Sequence, residues 1–240
     1  MTSKLIPIGK TSRLLGVSID SLRRWDKTRR LTSVRNGPKG HRYYRQSDID
    51  VFLRNISSLA ELWASAETGV VPDQEVYCQT RDVFQARLEK LQSDLQKSIP
   101  STKVSLLTAI SGEIGNNSFD HNLGNWPDVT GVYFAYDLGK RTIVLADRGL
   151  GVLATLKRVR PALNSDADAL RVAFTEIISG RLHEARGNGL KFVRDVIIKN
   201  PFTLDFETGD AHLLLKESDN NITILPTEKH VRGCLAIIKF

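Results

Sequence analysis

Hydrophobic and polar positions alternate with different periods along this chain, and they predict both helices and strands. Apolar residues recur mostly at three- and four-residue steps from Val104 to Phe119, which predicts an amphipathic helix. Two apolar runs at 131–137 and 141–147 then predict strands joined by a short turn. Four more strand patterns follow the next helical stretch, at 203–207, 211–216, 221–225 and 233–240. The last is apolar enough to be central, and the whole predicts an α+β sandwich.

The first 54 residues have a different pattern, made of short elements. Apolar spacing predicts a helix over 8–15, a break at 16–18, and a second helix that Ser18 caps and whose Leu22 and Trp25 point inward. A helix, a short glycine-containing turn and a helix form the helix-turn-helix pattern. Residues 35–45 contain Gly-Pro and a further glycine, which predict a hairpin of two short strands before a third helix.

Residues 55–100 predict a helical connector. A short helix is expected over 56–66 and a longer one over 73–97, and the longer one carries a heptad seam of Phe84, Leu88, Leu91 and Leu95. The seam could join two copies of the chain, or it could pack on the following domain. We expect dimerisation, because proteins with one small helix-turn-helix module commonly act as pairs.

Charge is distributed unevenly between these regions. Residues 1–54 hold 13 Lys and Arg against four acidic residues, a balance of +9, whereas the remainder has a balance of −2. A basic block on a near-neutral protein indicates a polyanionic partner. No apolar run reaches the length of a membrane span, and the N-terminus lacks a signal-peptide core, so we expect no membrane contact and a cytoplasmic protein. Cys78 and Cys234 lack metal-ligand spacing.

The basic region resembles the MerR-type winged helix-turn-helix, in the short form found in excisionases. The resemblance depends on residues 14–18 (LLGVS), 22–25 (LRRW) and 40–44 (GHRYY). It implies that double-stranded DNA is contacted from the second helix and from the hairpin wing, by Ser21, Arg23, Arg24, Lys27, His41, Arg42 and Tyr43. The alternative is that these side chains form a solvated surface.

Three motifs follow in order in the C-terminal region. Glu113, Asn117 and His121 are four residues apart, so they share one face of the predicted helix. The strand at 141–147 ends in Asp-Arg-Gly-Leu-Gly (147–151), and Gly-Asn-Gly-Leu (187–190) opens a helical pattern. Each motif alone has a simple alternative, a solvated face or an ordinary turn. In this order, over residues 101–240, they resemble the GHKL nucleotide-binding fold of gyrase B, MutL and histidine kinases.

That resemblance implies an ATP and Mg²⁺ site, and the chemistry of the residues agrees with it. Asp147 could accept the exocyclic amine of adenine, and Asn117 offers a neutral oxygen to Mg²⁺. Glu113 is the candidate catalytic residue, which would polarise a water or a hydroxyl for attack on the γ-phosphate. The remaining nucleotide-binding residues would be His121, Gly149, Gly151, Gly187, Gly189 and Leu190.

The sequence therefore predicts three regions: a DNA-binding domain at 1–54, a connector at 55–100 and an ATP-binding domain at 101–240. The first hypothesis is a homodimeric DNA-binding regulator that ATP switches, with slow or no hydrolysis. The second is a serine/threonine kinase, similar to anti-sigma-factor kinases, that acts on a partner protein. The third is an accessory factor of a mobile genetic element. No histidine lies between His41 and His121, so the connector has no phosphoacceptor histidine.

Overall fold

The fold combines helices with antiparallel sheets, which confirms the α+β prediction. The computed structural model describes residues 4–15, 17–29, 31–35, 37, 40–53, 55–176 and 189–240. The chain forms two compact units, Met1–Leu62 and Trp63–Phe240. Within the described ranges, no helix has the length and apolar character needed to cross a membrane.

The first unit is a small helical domain with a three-stranded sheet. Its elements are β1 (Leu5–Pro7), α1 (Ile8–Leu15), α2 (Ile19–Lys27), β2 (Val34–Arg35), β3 (Arg42–Arg45), α3 (Gln46–Leu53) and the first part of α4 (Ile56–Ser65). The sheet order is β1-β3-β2, so β3 pairs with β2 in the predicted hairpin and also with β1, which the pattern did not predict. Leu22 and Tyr44 are completely buried in the core, and the Tyr44 hydroxyl donates to the Leu22 carbonyl at 2.9 Å.

The second unit contains a five-stranded antiparallel sheet. Its elements after α4 are β4 (Tyr77–Cys78), α5 (Arg81–Gln96), α6 (Ser101–Asn122), β5 (Val132–Asp137), β6 (Thr142–Asp147), α7 (Gly151–Lys157), α8 (Asp166–Thr175), α9 (Gly189–Ile198), β7 (Thr203–Lys216) and β8 (Ile224–Lys239). The strand order is β4-β5-β6-β8-β7, so the last strand lies inside the sheet as predicted.

The heptad seam of α5 packs inside this unit. Its four apolar residues are at most 5% exposed and belong to the main core. Phe84 lies against Gly115 of α6, and Leu88 lies against Gly112. Of the two uses predicted for the seam, the structure shows packing on the following helix. A homodimer stays a prediction that would have to use another surface.

Other boundaries also differ from the predicted ones. The long connector helix begins at Arg81 instead of residue 73, because Tyr77 and Cys78 pair with β5 and Thr80 then caps α5. Residues 150–186 were assigned no helix or strand from the sequence, but α7 and α8 lie among their described residues. The four strands expected after residue 200 are two long strands, and register shifts around Gly209 break the pattern of β7.

Candidate functional site

The second helix of the first unit presents most of the predicted DNA-facing residues. Ser18 caps α2, since its hydroxyl oxygen accepts from the Ser21 amide at 3.0 Å. Leu22 and Trp25 are buried, which leaves the polar residues on the other sides of the helix. Of these, Arg23 and Lys27 are exposed, and Ser21 and Arg24 are half-buried. Arg23 also pairs with Asp20 at 2.8 Å, an exposed pair of the kind that contributes little stability.

The wing is attached to α2 through one carboxylate. Asp26 accepts from Arg42 Nε at 2.8 Å, from Arg35 Nη2 at 2.7 Å and from the Ser33 amide at 2.8 Å. Burial acts to raise the pKa of Asp26, but these hydrogen bonds hold it below the ordinary value. Arg42 therefore braces the wing, and its Nε is bound to Asp26. His41 is exposed beside it, and Tyr43 is half-buried.

In the second unit, α6 carries two adjacent polar groups. The first contains Glu113 and Asn117, which face the start of α9. A Cβ placed on Gly189 would lie 2.7 Å from Glu113 Oε2 and 3.3 Å from Asn117 Nδ2, so a side chain there would collide with them. The structure thus brings the first and third predicted motifs together. Gly187 lies outside the described residues.

The second group surrounds Asp147, at the end of β6. Asp147 is 2% exposed, and its Oδ2 accepts from the Ser118 hydroxyl at 2.8 Å while its Oδ1 accepts from the Gly149 amide at 2.8 Å. Burial raises the pKa of Asp147 to about 6, against the opposing effect of these hydrogen bonds. A buried carboxylate with a raised pKa is a frequent feature of functional sites.

The turn after Asp147 fits closely against α6 and β7. A Cβ on Gly149 would lie about 2.1 Å from Asn122 Nδ2, and Asn122 Oδ1 accepts from the Leu150 amide at 2.8 Å. Gly151 has a φ of +77°, and its Cβ would lie 3.1 Å from the Thr208 hydroxyl. Both glycines are therefore required by close approach or by backbone conformation.

The other predicted residues on these elements have different environments. His121 is half-buried on α6, one turn after Asn117. Leu190 is half-buried and packs against the main core, so its side chain contributes to packing. Arg181, His183 and Arg186, three basic residues just before the third motif, lie outside the described residues.

Several site residues were not predicted from the sequence. Ser118 follows Asn117 directly, and its spacing from Asn122 is one helical turn, so a second polar face of α6 was visible in the pattern. Thr208 gave no signal, because its hydroxyl accepts from the Val152 amide of α7 and donates to the Gly233 carbonyl of β8, both distant in sequence. Arg148, inside the second motif, is fully buried.

Comparison with known proteins supports the first unit. Residues 6–61 match the family described as MerR HTH family regulatory protein. This match indicates a DNA-binding, regulatory helix-turn-helix domain. No curated protein matches the chain. The ATP-binding assignment of residues 101–240 therefore depends on the motifs and on their geometry.

Proposed function

We propose that this protein is a DNA-binding regulator whose affinity for duplex DNA changes when Mg-ATP binds to residues 101–240. The observation that supports the nucleotide site is the position of α6. Adjacent residues of this helix, Asn117 and Ser118, face two separate motifs, since Asn117 lies against Gly189 and Ser118 donates to Asp147. Motifs about 30 and 70 residues away along the chain converge on one helical turn.

Each polar group has a role that matches its surroundings. The buried Asp147 carboxylate can accept a hydrogen bond from an amine donor, such as the exocyclic amine of adenine. It is held in one orientation by Ser118 and Gly149. Because the carboxylate lies in a largely solvent-excluded place, a base without a donor at this edge would lose the hydrogen bond, and we expect this loss to discriminate between bases.

The donor set beside Gly189 fits a magnesium ion with bound phosphates. Mg²⁺ usually takes one or two protein oxygens and completes its shell with water and phosphate oxygens. Asn117 would supply a neutral amide oxygen, and the ion would neutralise phosphate charge. Glu113 is exposed, so its carboxylate can accept a proton from a water or from a hydroxyl group brought by a partner.

The DNA-binding part of the proposal predicts a salt-dependent defect. Arg23→Ala combined with Arg24→Ala should weaken DNA binding and reduce the slope of log K against log salt by about 0.9 for each phosphate that the variant no longer neutralises. Titrations of a labelled duplex at several salt concentrations measure this slope. The matched control is Lys157→Ala combined with Arg158→Ala, which removes the same charge from the second unit. Equal effects of the two double variants would show that α2 has no special role.

The nucleotide part predicts that two residues of one helix face have separable effects. Asn117→Ala should weaken Mg-ATP binding about 10- to 100-fold, because it removes an interaction with charged groups. Glu113→Ala should keep binding and lose turnover. Calorimetry measures the first effect and phosphate release the second. Asn116→Ala is the control on the same helix; if it weakened Mg-ATP as much as Asn117→Ala, the assigned face would be wrong.

The second candidate function is a protein kinase, because the exposed carboxylate of Glu113 is accessible to a protein hydroxyl. With labelled ATP, release of free phosphate alone supports the regulatory switch. Transfer of the label to a serine or threonine of a partner protein, abolished in Glu113→Ala, supports the kinase.

A further inference from the structure

Arg148 is a completely buried cation, and its side chain donates hydrogen bonds to groups of the second unit. Its Nε donates to both Asp128 oxygens at 3.1 Å, and its Nη2 donates to Asp128 Oδ2 at 2.6 Å. Its Nη1 donates to the carbonyl oxygens of Trp63 and Ala66, the latter at 2.9 Å. A buried guanidinium persists only when paired, so these partners fix its position.

Two of those partners lie at the carboxyl end of α4. The last carbonyls of a helix have no partner inside the helix, and a cation at that end also interacts favourably with the helix dipole. The Trp63 carbonyl is one of these groups, and Ala66 follows the last turn. Arg148 therefore acts as the C-terminal cap of α4.

The segment after α4 is held tightly at the same place. The Trp63 indole donates to the Val70 carbonyl at 2.7 Å. A Cβ on Gly69 would lie 2.7 Å from Arg148 Nε and 2.8 Å from Asp128 Oδ2. The end of α4, the segment at 66–70 and the Arg148–Asp128 pair thus form one packed cluster.

Arg148 is also the residue between Asp147 and Gly149. The turn that forms the proposed base-binding carboxylate is therefore covalently continuous with the cap of α4. This helix begins at Ile56, in the unit with the DNA-binding domain, and ends at Ser65, in the second unit.

We propose that Arg148 is a positioning residue that couples nucleotide binding at Asp147 to the end of α4, and through α4 to the DNA-binding unit. The inference rests on the proposed function. A ligand that shifts the Asp147–Gly149 turn changes the geometry of the Arg148 cap. The cap then has one arrangement with the ligand and another without it, and these two arrangements differ in nucleotide affinity. Such a difference in affinity is what allostery requires.

The test compares Arg148→Met with Arg87→Met. Arg87 also donates to backbone carbonyls, those of Gln74 and Glu75, but it is distant in sequence from the Asp147 turn. For each protein, the Kd of a duplex enriched from a random pool is measured with and without saturating Mg-ATP, and the Kd of Mg-ATP is measured alone. The ratio of the two Kd values for the duplex is the coupling factor. A purely structural role of Arg148 would not change this ratio selectively.

We expect the wild type and Arg87→Met to have the same coupling factor, of about 5- to 150-fold. Arg148→Met should still bind the duplex and Mg-ATP separately, and it should have a coupling factor near one. Persistence of the wild-type factor in Arg148→Met overturns the inference and leaves the proposed function intact. A wild type that does not bind Mg-ATP overturns both.

A second measurement applies if Arg148→Met does not fold. Hydrogen exchange of the amides at 66–70 in the wild type should change on addition of Mg-ATP, because these residues pack on the Arg148 cap. Unchanged exchange in this segment, with Mg-ATP bound according to calorimetry, contradicts the inference.

Discussion

Asp147→Asn should weaken adenine-nucleotide binding by about 100-fold, because it removes a charged acceptor from a buried position. The substitution keeps the shape of the side chain, so the surrounding packing is retained. Calorimetry with ATP measures the effect. Asp137→Asn is the control, because Asp137 also ends a strand, β5, but it lies at the sheet surface. Comparable weakening in both variants would show that Asp147 is not the base-binding group.

The same substitution should change the pH dependence of stability. The pKa of Asp147 is raised from 3.8 to about 6 by burial, so the folded chain binds a proton more readily than the unfolded chain. Its contribution to the free energy of unfolding is fully present below pH 3.8 and is lost as the pH rises through 6. The loss amounts to about 3 kcal/mol.

Asp147→Asn removes this titration, so the difference between variant and wild type should grow from pH 4 to pH 7 in favour of the variant. Denaturant unfolding at several pH values measures it. For Asp137→Asn, the difference in stability from the wild type should change with pH in the opposite direction, because the Lys140 amide lowers the pKa of Asp137. A constant difference between Asp147→Asn and wild type across this range would mean that Asp147 titrates normally. Greater stability together with abolished binding would mark a carboxylate retained for function.

Gly115→Ala should destabilise the second unit by about 2–3 kcal/mol, because its new methyl would lie 2.1 Å from Phe84 Cζ. Phe84 is completely buried, so α5 and α6 must separate. Gly112→Ala is the matched control on the same helix. Its methyl would lie 3.2 Å from Leu88 Cδ2, the end of a flexible side chain, and alanine favours the helix, so its effect should be within about 1 kcal/mol.

This pair also tests how the heptad seam is used. Unfolding measurements give the stability of each variant, and sedimentation gives its oligomeric state. Packing within the chain predicts that Gly115→Ala loses stability with no change in mass. A dimer that dissociates in Gly115→Ala, with the remaining chain stably folded, would return the seam to the dimerisation hypothesis. Phe84→Leu should partly restore the stability of Gly115→Ala by making room for the methyl group.

Local signals in the sequence predicted much of the fold. Ser18 has the chemistry of a helix cap, and the apolar residues of the last strand indicated its central place. The helix predicted over 73–97 was given too early a start, because Tyr77 and Cys78 are fixed by pairing with β5, about 55 residues further along the chain. The long β7 strand was divided in the pattern at Gly209, where register shifts change which residues face the core.

The candidate site was predictable where its motifs follow helical spacing or strand ends. Glu113 and Asn117 were selected as candidates by their four-residue interval, and Asp147 by its place after an apolar strand. Arg148 was not found, because its role depends on Asp128 and on carbonyls near residue 65, and backbone groups have no sequence signature. Ser118 was passed over although its four-residue interval to Asn122 is present in the sequence, since serine in a helix usually indicates a solvated position.

The most direct test of the account is the affinity of the wild-type chain for a labelled duplex, with and without saturating Mg-ATP, at one salt concentration. A DNA-binding regulator controlled by a nucleotide site around α6 should give two dissociation constants that differ by about fivefold or more. Identical constants with Mg-ATP demonstrably bound, or no binding of Mg-ATP at all, would contradict it.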